Sequence, residues 1–298
     1  MNLRDIHIRD PFVLPVPSER RYYLYGTMGE YAWAKSALGF DCHISADLQT
    51  WEGPFPVFRP PAGFWADRNF WAPEVHAYRG RYFLFASFKA EGVCRGTQIL
   101  AAASPRGPFF PVSAGPVTPP DWECLDGTLF VGADGKPWMV FCHEWVQVGD
   151  GEICALPLSE DLASAAGEPT VLFRASQAPW AKPIESKGRK GHVTDGPWLH
   201  RAAGGELLIL WSGFSADGYT IGVARSAGGQ LPGPWQQDTR PLYSNDGGHC
   251  MTFRDFGGNL WLSLHHPNAH PDERPKLLPL AEDFPGLPRP IRLPDDTA

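Results

Sequence analysis

Short apolar and aromatic runs recur along the chain, separated by clusters of Gly, Pro, Asp and Asn. Tyr22-Tyr23-Leu24-Tyr25, Tyr82-Phe83-Leu84-Phe85, Trp138-Met139-Val140-Phe141, Leu207-Leu208-Ile209-Leu210-Trp211 and Leu260-Trp261-Leu262-Ser263-Leu264 have the length and the aromatic content of strands. Each follows a turn-forming stretch: Ser18-Glu19-Arg20, Arg79-Gly80-Arg81, Ala133-Asp134-Gly135-Lys136, Ala203-Gly204-Gly205-Glu206 and Phe256-Gly257-Gly258-Asn259. Another apolar run precedes each turn. The pattern predicts a β-hairpin, five times over. No segment carries a long helical period.

The first strands open at Asp10-Pro11-Phe12, Ala72-Pro73-Glu74, Asp126-Gly127-Thr128, Asp195-Gly196-Pro197 and His249-Cys250-Met251, at steps of roughly 62, 54, 69 and 54 residues. Such steps fit propeller repeats carrying loop insertions. A third strand follows the hairpin, as at residues 96–101 and 219–224. A β-sandwich would not explain one unit repeated along the chain. The expected fold is all-β, a five-bladed β-propeller forming a single domain over residues 1–298. First strands line the axis of such a ring, so Asp10, Asp126, Asp195 and His249 are expected around one mouth.

Composition narrows the class. The 298 residues include 26 Lys and Arg against 33 Asp and Glu, a net charge of −7, which argues against a nucleic-acid partner. No apolar run reaches the roughly 18 residues that a membrane span needs. Twelve Trp and eighteen Phe exceed what a core requires and suit flat partners such as sugar rings. None of the six cysteines (Cys42, Cys94, Cys124, Cys142, Cys154 and Cys250) belongs to a CxxC pair, so no zinc knuckle is expected. The opening MNLRDIHIRDPF lacks an apolar signal core, so a cytoplasmic protein is expected, although a removed signal would leave the same sequence.

Three aspartates aimed at one pocket carry the candidate chemistry. Like charges held close push each other's pKa values apart, which gives one site both an acid and a base. Glycoside hydrolysis uses such a pair, and an inverting enzyme spaces it by roughly 6.5–9.5 Å to admit water.

Arg9-Asp10-Pro11, Trp71-Ala72-Pro73-Glu74, Leu125-Asp126-Gly127-Thr128-Leu129-Phe130, Thr194-Asp195-Gly196-Pro197-Trp198 and Gly248-His249 together resemble the five blade motifs of glycoside hydrolase family 43. The resemblance implies an inverting, exo-acting hydrolase of arabinofuranosides or xylosides. It implies Asp10 as general base and Asp126 as the carboxylate that tunes and orients the acid. His249 would lie on the axis near a calcium or sodium ion, touching it through water. No cofactor is otherwise required. The fourth-blade motif of the family presents Glu as general acid, where this chain has the shorter Asp195. Three readings follow: Asp195 is the acid in a remodelled pocket, Glu144 supplies the proton, or hydrolysis is lost.

Trp71, Trp33, Tyr31 and Trp145 are candidate sugar contacts, each with plain packing or a surface loop as the alternative. Arg274 and Asn268 border the fifth-blade loop, where Arg274 either holds a hydroxyl or forms an ordinary salt bridge. Glu74 is expected to hydrogen-bond inside the channel. His192, His249, His265 and His266 invite a metal reading, but no HExxH pattern supports zinc. The expected substrate is a terminal α-L-arabinofuranosyl unit on a plant oligosaccharide or polysaccharide. The alternatives are β-D-xyloside hydrolysis, a carbohydrate-binding propeller without hydrolysis, or a protein-interaction propeller. Neither a nucleic-acid nor a membrane partner is expected, and the sequence leaves the oligomeric state open.

Overall fold

The computed structural model describes residues 1–186, 188–282 and 284. Five antiparallel sheets follow one another along the chain. The first comprises β1 (Ile8–Val16), β2 (Arg21–Met28), β3 (Phe40–Ser45) and β4 (Trp51–Phe58). The second comprises β5 (Arg68–Tyr78), β6 (Arg81–Ala90), β7 (Val93–Ala102) and β8 (Phe110–Pro111). β9 (Cys124–Val131), β10 (Pro137–His143), β11 (Glu152–Pro157) and β12 (Thr170–Arg174) form the third, with the single turn α1 (Trp145–Val148) after β10. A small hairpin, β13 (Ile184–Ser186) and β14 (Arg189–Gly191), precedes the fourth sheet. That sheet holds β15 (Asp195–Arg201), β16 (Leu207–Ser215), β17 (Gly218–Ser226) and β18 (Gln236–Gln237). The fifth has three strands, β19 (Gly248–Arg254), β20 (Leu260–His266) and β21 (Arg274–Leu280).

The first strands of the sheets touch in ring order: β1 with β5, β5 with β9, β9 with β15, β15 with β19, and β19 with β1. The fold is the five-bladed β-propeller that the hairpin pattern predicts. The residues expected beyond 284 in the single domain lie outside the described residues. The second strands are buried on both faces, which is why they read as unbroken apolar runs rather than alternations. Between the first two blades the core is aromatic. Phe40, Phe58, Phe70 and Phe88 meet edge-on or tilted, with Phe70 and Phe88 centroids 4.8 Å apart.

One irregularity recurs in every blade. The pairing of first and second strands slips after Arg9–Thr27, Trp71–Ser87, Leu125–Cys142, Asp195–Ser212 and Gly248–His265. The residue after each slip is left-handed: Asp10 (φ 53°), Ala72 (47°), Asp126 (58°), Gly196 (50°) and His249 (49°). These bulges re-aim a side chain at the axis. They also turn each backbone N–H toward the preceding blade. Ala72 donates to Thr27 Oγ1 at 2.7 Å, Asp126 to Ser87 Oγ at 2.9 Å and His249 to Ser212 Oγ at 2.8 Å. Gly196 donates to Asp126 Oδ2 at 2.9 Å, and Asp10 closes the circle on His265 Nδ1 at 3.2 Å.

This register corrects one expectation. Asp195 is not equivalent to Asp10 and Asp126; Gly196 is. Asp195 stands one residue earlier, level with Arg9 and Trp71. Pro11, Pro73 and Pro197 follow the left-handed residue in three blades, and aligning on them gives the correct register from sequence alone.

Two substitutions test the ring. Ser87→Ala orphans the buried Asp126 N–H and is expected to cost about 1–3 kcal/mol. Gly196→Ala combines a left-handed backbone with a Cβ only 2.8 Å from the His249 ring, and is expected to cost at least as much. Urea unfolding reads both; unchanged midpoints would show that these contacts do not hold the blades.

Candidate active site

A cavity of about 660 Å³ opens where the first strands begin, and all five blades line it. Asp10, Asp126, Asp195 and His249 meet there, with Glu144, Trp33, Trp71, Trp145 and Asn268 among the walls. Tyr31 and Arg274 do not reach the cavity. Tyr31 ends the short 3-10 turn Gly29–Tyr31, and its neighbours Ala32 and Trp33 form the wall instead. The Arg274 guanidinium is engaged by backbone carbonyls of Arg4, Pro271 and Glu273 at 2.7–3.0 Å, so it ties loops together.

The left-handed residues carry the centre of charge. His249 Nδ1 lies 3.2 Å from Asp10 Oδ1 and 3.6 Å from Asp126 Oδ2, so one imidazole spans two carboxylates. Asp10 Oδ2 also accepts the Thr27 hydroxyl at 2.5 Å. Burial pushes Asp10 up, but the charges of His249 and Arg9 and the Thr27 hydrogen bond outweigh it and hold Asp10 below the usual carboxylate value. Burial pushes Asp126 up to about 7, helped by the charges of Asp195 and Asp10 and opposed by His249 and the Gly196 amide. Asp195 is likewise raised, first by burial and then by Asp10, although His249 and the Tyr219 hydroxyl at 3.0 Å oppose the shift. Burial depresses His249, but the surrounding carboxylates overcome it and raise the imidazole above its ordinary value.

His265 has a different job. Its Nδ1 accepts the Asp10 N–H, so its proton sits on Nε2, which faces Asn268 Oδ1 at 3.3 Å. Burial, with Arg9 adding to it, pushes its pKa down to about 3. The 3.5 Å approach of His265 to Asp10 Oδ1 is therefore no ion pair. His192 lies instead beside Asp150, at 3.8 Å. The expected gathering of histidines on the axis reduces to His249, with His265 behind Asp10. Glu74 Oε2 meets His76 Nε2 at 3.0 Å inside the channel.

Glu144 is not a free carboxyl. Its Oε1 pairs with the guanidinium of Arg95, and both side chains are buried. Arg95 lies over the Trp71 ring at 4.3 Å, and Arg9 over the Trp33 ring at 5.5 Å. Trp33 and Trp71 meet edge to face at 5.2 Å, and Trp71 Nε1 donates to Ala32 O at 2.7 Å. The result is an aromatic wall stiffened from behind by two cations. Trp33 remains 58% exposed, so a face is available to a ligand. Thr27, whose second-strand end is expected at the mouth though with no role assigned to it, completes the site together with Arg95 and Tyr219, which were not predicted. Their contacts cross between blades or between strands, and no local motif marks them. All six cysteines are free.

The sequence model of the family described as "Glycosyl hydrolases family 43" matches residues 5–281. An extracellular endo-α-(1→5)-L-arabinanase of Bacillus subtilis is 25% identical over 239 residues, which are 73% of this chain and 65% of that protein. The chain thus spans just under two thirds of that relative's length. An endo-arabinase structure from Bacteroides thetaiotaomicron has a TM-score of 0.88 at 42% identity, covering 94% of this chain and 96% of that one. A thermostable family-43 glycoside hydrolase shares the fold, with a TM-score of 0.77 at 23% identity, covering 92% and 90%.

Thr27 both donates to Asp10 and accepts from Ala72. In Thr27→Val the Asp10 carboxylate loses a stabilising donor, so its pKa rises; Thr27→Ser preserves it. A depressed folded-state pKa contributes stability that disappears as pH falls through it, so acid unfolding of Thr27→Val is expected to begin at higher pH. Carboxyl 13C NMR titration checks the shift, and an unmoved Asp10 resonance would remove Thr27 from this role.

Proposed function

The chain belongs to glycosyl hydrolase family 43, and from that membership we propose that it is an inverting glycoside hydrolase cutting α-1,5-linked arabinan internally. The observation that carries the chemistry is the opposed displacement of carboxyls in one cavity, with Asp10 held low and Asp126 and Asp195 held high around His249. Asp10, ionised, takes a proton from a water that attacks the anomeric carbon. Asp195, protonated, gives its proton to the leaving oxygen on the other side of the bond. Asp126 acts through its neighbours. By accepting the Gly196 N–H it fixes the peptide that carries Asp195, while burial and the charge of Asp10 favour the protonated form of Asp195.

Glu144 serves better as a partner of Arg95 than as a donor, since its oxygen accepts from a guanidinium. Internal cutting is proposed in place of the expected removal of terminal units on two grounds. Two arabinan-degrading relatives, at 25% and 42% identity, are named endo-enzymes. The cavity of about 660 Å³ also has room for more than one sugar. A polymeric substrate is met outside the cell, and the Bacillus relative is extracellular, so the expected cytoplasmic location is set aside. Among the described residues no helix is long and apolar enough to cross a membrane. An axial calcium or sodium ion belongs to the reading only through water, because such ions prefer oxygen and His249 offers nitrogen. The buried Thr128 hydroxyl, on the same strand as Asp126 and without a partner, is one oxygen that such a water would use.

Linear arabinan tests the reading. Viscosity is expected to fall before much reducing sugar accumulates; release of arabinose alone would indicate terminal cutting. Proton NMR is expected to show the inverted anomer first. Asp10→Asn should lower kcat by about 10²–10⁴-fold with the fold retained. Asp195→Ala should harm natural linkages far more than activated aryl glycosides, whereas Glu144→Gln should act mainly on KM. Sugar binding without turnover in the unmodified protein would leave a carbohydrate-binding propeller.

The pH profile follows from the same shifts. The base works when ionised, so activity falls on the acid side through the lowered Asp10 pKa. The acid works when protonated, so activity falls on the alkaline side through the raised Asp126–Asp195 pair, which titrates as a unit. A profile of kcat/KM with no alkaline fall would contradict the assignment.

A further inference from the structure

A second group of ligating side chains lies where the first and fifth blades meet. His7 precedes β1, and His270 and Glu273 belong to the loop between β20 and β21. Their ligating atoms all lie within 4.8 Å of one another. Glu273 Oε1 is 3.1 Å from His270 Nδ1 and 3.6 Å from His7 Nε2. Glu273 is 0% exposed, yet its Oε2 has no hydrogen-bond partner; buried His7 Nε2 has none either. Buried polar atoms are nearly always satisfied, so two orphans in one cluster call for a missing ligand. The Arg9 guanidinium, 3.8 Å from Glu273 Oε1, is too distant for a hydrogen bond, and its other terminal nitrogen donates to Asn268.

The chemistry of the gap is specific. Two imidazoles and a carboxylate form a donor set for zinc and similar borderline divalent ions, whereas calcium and magnesium favour oxygen alone. Ligand atoms about 2.0–2.1 Å from a tetrahedral ion sit about 3.3 Å apart, between the two separations observed here. The local backbone makes room for the ring: a Cβ on Gly29 would lie 2.3 Å from the His7 imidazole. Arg9 opposes a cation here, and the buried Glu273 carboxylate offsets it.

We propose that His7, His270 and Glu273 form a structural site for a zinc-class divalent cation, with the fourth position left to water, that clips the segment before the first blade to the fifth blade. The topology gives such a clip a purpose. Among the described residues each blade is built from consecutive strands, and no strand from one end of the chain is shared with the blade at the other. Among the described residues that seam is held by contacts in which at least one partner is a side chain, such as Asp10 N–H to His265 Nδ1 and Ser263 Oγ to Pro11 O.

The test uses chelator-stripped full-length protein titrated with zinc by calorimetry, with cobalt as a spectroscopic stand-in. One equivalent is expected to bind at micromolar affinity or better, with tetrahedral cobalt absorption. Tm is expected to rise with free zinc, as ligand binding to the folded state alone requires. Glu273→Gln and His270→Ala should each weaken binding at least tenfold, with circular dichroism confirming the fold. Absence of binding at millimolar zinc, or equal affinity in both variants, would overturn the site. Should the variants fail to fold, zinc-edge anomalous diffraction from zinc-soaked crystals of the unmodified protein decides. A peak within bonding distance of His7, His270 and Glu273 supports the proposal; a peak elsewhere, or none, refutes it.

Discussion

The capture of one backbone N–H per blade by the blade before it organises the molecule. Each capture needs a left-handed residue at a bulge, and four of the five positions are not glycine. Such conformations cost on the order of 1–3 kcal/mol each and persist only where the surroundings hold them. Here the surroundings are Thr27, Ser87, Ser212 and His265, side chains of second strands reaching across to the next blade. In the third blade the corresponding residue is Cys142, a poor acceptor, and the Asp126 carboxylate takes the Gly196 amide instead. The contacts that space the blades are thus the same contacts that orient Asp10, Asp126 and His249.

That coupling explains the electrostatics. Carboxylates drawn to one axis repel, and burial denies them water. One imidazole between Asp10 and Asp126 relieves part of the strain, while Thr27 and Arg9 favour Asp10 further. The relief is uneven, so the acids separate into one that stays ionised and a pair that hold protons more tightly. Similar side chains acquire different roles because their neighbours differ.

The hairpins, the five blades and the convergence of Asp10, Asp126 and His249 were legible because strand patterns and turns are local. The placement of Asp195 was legible only to within one residue. A bulge changes register without changing composition, and only the alignment of Pro11, Pro73 and Pro197 reveals it. The pairing of Arg95 with Glu144 and Trp71, and of Arg9 with Trp33, joins residues far apart in sequence, and periodicity carries no trace of it. Tyr31 and Arg274 have chemistry suited to sugars, but loop geometry turns them elsewhere. Whether a chain is cut internally or at its end depends on the walls of the cavity, which these loops build.

The five amide captures differ in one chemical respect. Hydroxyls keep their lone pairs at any pH, and a protonated carboxyl still has a carbonyl oxygen. A doubly protonated imidazole has no lone pair left. His265 is therefore the one catch among these five that acid can unfasten outright, and it sits at the junction that no described strand bridges. Strong acid would first release the Asp10 amide from His265, loosening Asp10 from its setting while the apolar packing of Met251 and Phe253 against the first blade still holds the seam.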